Sequence, residues 1–197
     1  MAQVDMTEIF GEGWCVTLTR RSPTETLHMM GVEPRRQRPV TVEEVTARRD
    51  RIVDYEVPVT LLARSLGNVW SLVLELEGYS GWVGTAPEVL ETLSSEGGLA
   101  GSAMYLPDEQ EVLCARDGNV AVGVDPRTGR LWGGKADTFR PMLNEAGLGR
   151  DGDGSWRPGL DELSTAQRAV LALETVLGVR LEQSMLEGPW RGGLSSR

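Results

Sequence analysis

A chain of 197 residues, 40% hydrophobic and 25% charged, has the size and make-up of one globular domain, able to bury roughly 70% of its unfolded surface. Its net charge of −9 excludes a general nucleic-acid binder, which needs a basic surface to neutralise phosphate. No apolar run approaches the roughly 20 residues of a membrane helix, and MAQVDMTEIFGEGW has neither the basic start nor the apolar core of a signal peptide, so the cytoplasm is the expected compartment.

Residues 1–12 read as a loosely ordered lead-in to a single domain over 13–187, with 188–197 as a frayed tail. Trp14 to Thr19 is rich in β-favouring types and predicts the first strand. Ser22-Pro23-Thr24-Glu25 then caps a helix that Gly31 ends. Arg35 to Arg51 carries six arginines against Glu43, Glu44 and Asp50, and Thr41 to Glu44 caps a second short helix. This basic stretch could engage an acidic partner or a phosphate; a solvated helix-loop segment is the simpler reading. Pro58 to Ala63 fits a short helix or a strand.

Asn68 to Leu93 is the most patterned stretch. Trp70, Leu72, Leu74 and Leu76 alternate with Ser71, Val73, Glu75 and Glu77, giving one apolar strand face. Gly78 to Gly81 supplies a turn, and Trp82-Val83 is expected to return as a second hairpin leg. Thr85 to Glu88 has capping-box form, so the helix it starts is expected to cover the leucine side. Gly101 to Leu106, Glu111 to Ala115 and Val120 to Val124 predict an antiparallel meander, with Asp117-Gly118 as a hairpin turn. Helical spacing returns at Phe139, Met142, Leu143 and Ala146, and again at Ala166, Val170, Leu173 and Leu177 behind a Ser164 to Gln167 box.

Four segments carry a family resemblance. WCVTLTRRSPTETLHMMG (14–31), the Asn68 to Gly98 centre with its GW-x-G-x-x-PEVL core, DGNVAVGVDPRTGRLWG (117–133) and LGVRLEQSML (177–186) resemble an uncharacterised actinobacterial family of the streptomycete type. Nineteen arginines to a single lysine, Lys135, agree with the coding bias of such genomes. The resemblance implies an α+β fold and a bacterial cytosolic setting, and brings no assigned activity.

No catalytic constellation emerges. His28 is the sole histidine, which excludes a Ser-His-Asp triad or a multi-histidine metal site, and a partly buried structural role is expected for it. Cys15 and Cys114 are expected to be buried and reduced. Asp151, Asp153, Ser155 and Glu162 fall at calcium-loop spacing, but Trp156 stands where the turn needs glycine, so an acidic connector is the simpler reading. No metal or other cofactor is expected. Glu75 and Glu77 on one strand face could share a groove with Tyr79 and Tyr105 as a small-ligand or enzyme site, although carboxylates on a half-wet sheet normally face solvent. The six tryptophans are the strongest functional hint. Trp82, Trp132, Trp156 and Trp190 adjoin turns, with Arg130 and Arg157 beside two of them, which is the composition of interface anchors.

The sequence therefore predicts a single α+β domain, a mostly antiparallel sheet of five or six strands with flanking helices near 23–30, 86–95, 137–147 and 165–177. The expected role is a non-enzymatic protein-interaction module whose partner is another protein, not nucleic acid or membrane, with self-association as an option.

Overall fold

The computed structural model describes residues 3–50, 58–78, 81–148 and 162–197. Strand β1 (Trp14–Thr19) lies at the centre of one sheet, between β4 (Trp70–Glu75) and β5 (Leu99–Tyr105). Beyond β4 come β3 (Thr60–Leu66), β9 (Trp190–Leu194) and β2 (Arg38–Val40); beyond β5 come β6 (Gln110–Arg116), β7 (Asn119–Val124) and β8 (Leu131–Trp132). Every pairing is antiparallel. The expectation of five or six strands is thus overturned: among the described residues the sheet has nine, in a fold that is still α+β.

The uncounted strands are those whose residues disfavour β structure. β2 is three residues around Pro39, tolerable because it lies at the edge, and β8 at the other edge is two residues long. β9 contains Gly192 and Gly193, which sequence reasoning reads as tail. A Cβ at Gly192 would sit 2.5 Å from the Leu61 carbonyl oxygen, so glycine is what lets this strand enter between β2 and β3. Within 188–197, Ser195 is buried and its hydroxyl donates to the Met30 carbonyl at 2.7 Å. Asp5 caps helix α1 (Met6–Phe10), accepting from the Thr7 and Glu8 amides, and Met6 and Phe10 are buried.

Both sheet faces are covered, which explains why all six residues of β1 are buried. Helices α2 (Pro23–Met29) and α4 (Pro87–Leu93) pack on one face, joining Leu27, Leu90 and Leu93 to Val73 and Ala100. α1, α3 (Val42–Arg49), α5 (Ala136–Glu145) and α6 (Thr165–Leu177) contribute to the larger cluster on the other face, with Leu72 and Leu74. The leucine side of β4 is therefore buried, but on the opposite face from α4, which meets Val73 instead. Trp82-Val83 is not a second hairpin leg. β4 pairs with β3 and β1, and Val83–Thr85 is a 3-10 turn. Thr85 does not cap α4 either: Ala86 holds that position without a side-chain bond, Pro87 sets the first turn, and the Thr85 hydroxyl donates to the Trp82 carbonyl. The Ser164–Gln167 capping box forms as the sequence implies, and the Asp117-Gly118 hairpin places both residues at positive φ, 53° and 74°.

Candidate functional site

Glu75 is fully buried at the end of β4. Its two carboxylate oxygens accept the backbone N–H groups of Val83 and Gly84, each at 2.8 Å, so the side chain clamps the 3-10 turn onto the sheet. Burial pushes its carboxyl up to about 7 even though the Gly84 and Val83 amides and the Cys15 thiol favour the ionised form. The contact is close: a Cβ at Gly84 would lie 2.0 Å from the Thr17 hydroxyl and 2.8 Å from Glu75 Oε1. Cys15 shares this cluster, and burial followed by the neighbouring Glu75 charge holds its thiol well above the ordinary range; burial takes Cys114 up to about 12. Both cysteines are free and buried, and neither is a nucleophile as placed.

Glu77 does not sit beside Glu75 in a groove. It turns to the start of β3, where Oε2 accepts the Thr60 amide at 2.7 Å and Arg48 Nε stands 3.6 Å from Oε1. The expectation that these carboxylates face solvent fails because the sheet has a helix layer on each side. Tyr105 is on the other face, its ring stacked on Trp14 at 5.8 Å, while Cys15 next along β1 pairs with Glu75. Tyr79 lies outside the described residues. The structure does not bring the described members of this alternative ligand site together.

Most described tryptophans are covered. Trp82 packs over Gly78 and Trp190 lies against the sheet with Arg64 over its ring; both are buried. Trp132 is half-buried on Gly123, with the exposed Arg130 guanidinium 5.8 Å above its ring. Trp70, on the apolar strand face, is half-buried against the core beneath Arg20. Trp156, Arg157, Asp151 and Asp153 lie outside the described residues. Among the described residues no cluster of His, Cys, Asp and Glu could hold a metal ion, and no helix is long and apolar enough to cross a membrane. His28 is exposed at the end of α2 rather than partly buried.

Within the arginine-rich segment, Arg36, Arg38, Arg48 and Arg49 are engaged by other parts of the chain, while Arg51 lies outside the described residues. Arg36 pairs with Glu33 at 2.9 Å, Arg38 with Glu44 at 2.5 Å and Arg48 with Glu77, while Arg49 donates to the Phe10 carbonyl. These contacts favour the solvated-segment reading over an anion-binding patch.

A feature that sequence reasoning missed centres on Glu174, a lone carboxylate on the apolar stripe of α6. It is 4% exposed. Its Oε2 accepts from Gln3 at 3.1 Å and Arg180 at 2.8 Å, and its Oε1 accepts the Leu181 amide at 2.7 Å. This pins the N-terminal segment and residues 180–181 to α6, leaving an open groove of about 760 Å³ between α1 and the 181–183 segment. Asp5, Glu8 and Glu182 line it beside Ile9 and Leu181. The signal in the sequence was a charged residue at a core position of the helix, with an arginine six residues on.

A family model described as "Family of unknown function (DUF6461)" matches residues 2–190. No curated protein and no solved structure matches.

Proposed function

The chain belongs to the DUF6461 family of unknown function, and from its geometry we propose a non-enzymatic protein-interaction module of the bacterial cytosol: an adaptor, an immunity-type inhibitor or a regulatory partner in an actinobacterial host. The observation that carries this reading is the acidic groove beside α1, a concave surface whose walls Glu174 holds in place. By contrast, the groups with catalytic potential are turned inward: Glu75 clamps a turn, and the Cys15 and Cys114 thiols are buried. The half-exposed Trp132 with Arg130 above it supplies a second contact of the interface type. Two free thiols support a reducing compartment, and nineteen arginines to one lysine support the host assignment.

The test is capture with the full chain immobilised against lysate of an actinobacterium that encodes it. A stoichiometric partner that co-elutes on size exclusion is the expected result. Repeated recovery of the chain alone contradicts the proposal.

A further inference from the structure

We propose that the groove continues across α1 into a second hollow, and that the trough so formed receives a basic, extended polypeptide segment of the partner. This rests on the interaction-module reading above and narrows it to a partner chemistry and a surface.

Ile9, 37% exposed, lines both hollows and forms the ridge between them. The second hollow, about 390 Å³, has an apolar floor of Phe10, Val42 and Leu186, with Glu43 and Glu187 at its rim. Five carboxylates therefore border the trough: Asp5, Glu8 and Glu182 on one side of Ile9, Glu43 and Glu187 on the other. No Lys or Arg lines either hollow among the described residues, in a chain that carries twenty.

Glu8, Glu43, Glu182 and Glu187 make no ion pair among the described residues. Glu43 is held below the usual carboxylate range by its own backbone N–H and the Thr41 hydroxyl, so it stays ionised. An acidic rim around an apolar floor selects cationic side chains at the rim and apolar ones in the hollows. An extended chain provides that arrangement, because successive side chains alternate in direction about every 3.3 Å. The attraction is exposed to solvent, and salt weakens it.

The probe is a fluorescein-labelled peptide of about eight residues alternating Arg and Leu, with an alternating Glu and Leu peptide as counterpart, titrated against the full chain by anisotropy. The basic peptide is expected to bind, less tightly as salt rises, and the acidic one not at all. Glu8→Arg with Glu182→Arg is expected to weaken binding about tenfold, whereas the control pair Glu109→Arg with Glu145→Arg, of equal net charge, leaves it within about threefold. Equal loss in both pairs, an unaffected trough variant, or no binding to the wild type overturns the proposal. If circular dichroism shows the reversal pair unfolded, Glu8→Gln with Glu182→Gln replaces it, with a smaller loss expected and an unchanged affinity overturning the proposal. The trough variant used as bait separates the two readings. A partner retained equally by wild type and variant overturns the trough and leaves the interaction module standing, while no partner on either bait removes the module itself.

Discussion

Glu75 and Glu174 are both buried carboxylates that hold a loop by its backbone N–H groups, and they differ in what else surrounds them. Glu174 has a cation: Arg180 stands 2.8 Å away, with its own side chain 39% exposed to water. Among the described residues Glu75 has no cation against it, only the Val83 and Gly84 amides and a thiol. A paired carboxylate at the edge of the core can stay charged and define a surface groove. An unpaired one deep in the sheet pays for its charge, and the turn it clamps seals the site from solvent. The lesson is that the buried carboxylates Glu75 and Glu174 work as fasteners, each holding a neighbouring segment by its backbone N–H groups.

Removing the paired carboxylate should have the largest effect. Glu174→Ala orphans the Leu181 amide and frees Gln3 and Arg180, and is expected to cost about 4 kcal/mol in urea denaturation. A cost below about 1 kcal/mol would mean that Glu174 does not fasten the groove.

The unpaired carboxylate should instead report through pH. Its carboxyl is raised in the folded state from 4.5 to about 7, so the folded form binds its proton more tightly. The associated stability is complete below about 4.5 and is lost as pH rises through 7, an effect of about 3 kcal/mol. Unfolding free energies from urea denaturation at pH 5 and pH 8 should diverge between wild type and Glu75→Gln by most of that amount, the wild type losing more at pH 8. Glu111, also raised by burial, titrates in both proteins and cancels in the difference.

The seal over Glu75 should be sensitive to one methyl group. Gly84→Ala is expected to destabilise by about 2 kcal/mol, because its Cβ meets the Thr17 hydroxyl, and Thr17→Ala in the same chain should recover part of that loss. At the helix that carries Glu174, Ser164→Ala removes the bond to the Gln167 amide and should cost about 1 kcal/mol in thermal or urea unfolding.

Local chemistry made much of this fold legible. Ser22, Thr41 and Ser164 cap the helices they were expected to cap, and the three-strand meander β5-β6-β7 follows from its alternation and from Asp117-Gly118. Long-range pairing was not legible. β9 inserts beside β3 across more than a hundred residues of chain, and the glycines that permit the insertion look like a tail when read alone. The same limit hid the second helix layer, so Glu75 and Glu77 read as solvent-facing. It also hid the trough, whose walls come from residues 5–10, 42–43 and 181–188. Burial of Trp82 was hidden for a related reason: an indole beside a glycine can lie flat on it, as Trp82 does on Gly78.

The central distinction, between sealed carboxylates inside and those bordering the proposed trough, can be measured by titrating the Arg-Leu peptide into isotope-labelled protein and following backbone amide resonances. Perturbations confined to Asp5 to Phe10, Glu43 and Glu182 to Gly188, with Val83 and Gly84 unmoved, are what the structure predicts. Shifts centred on Val83 and Gly84, or spread evenly over the acidic surface, would contradict it.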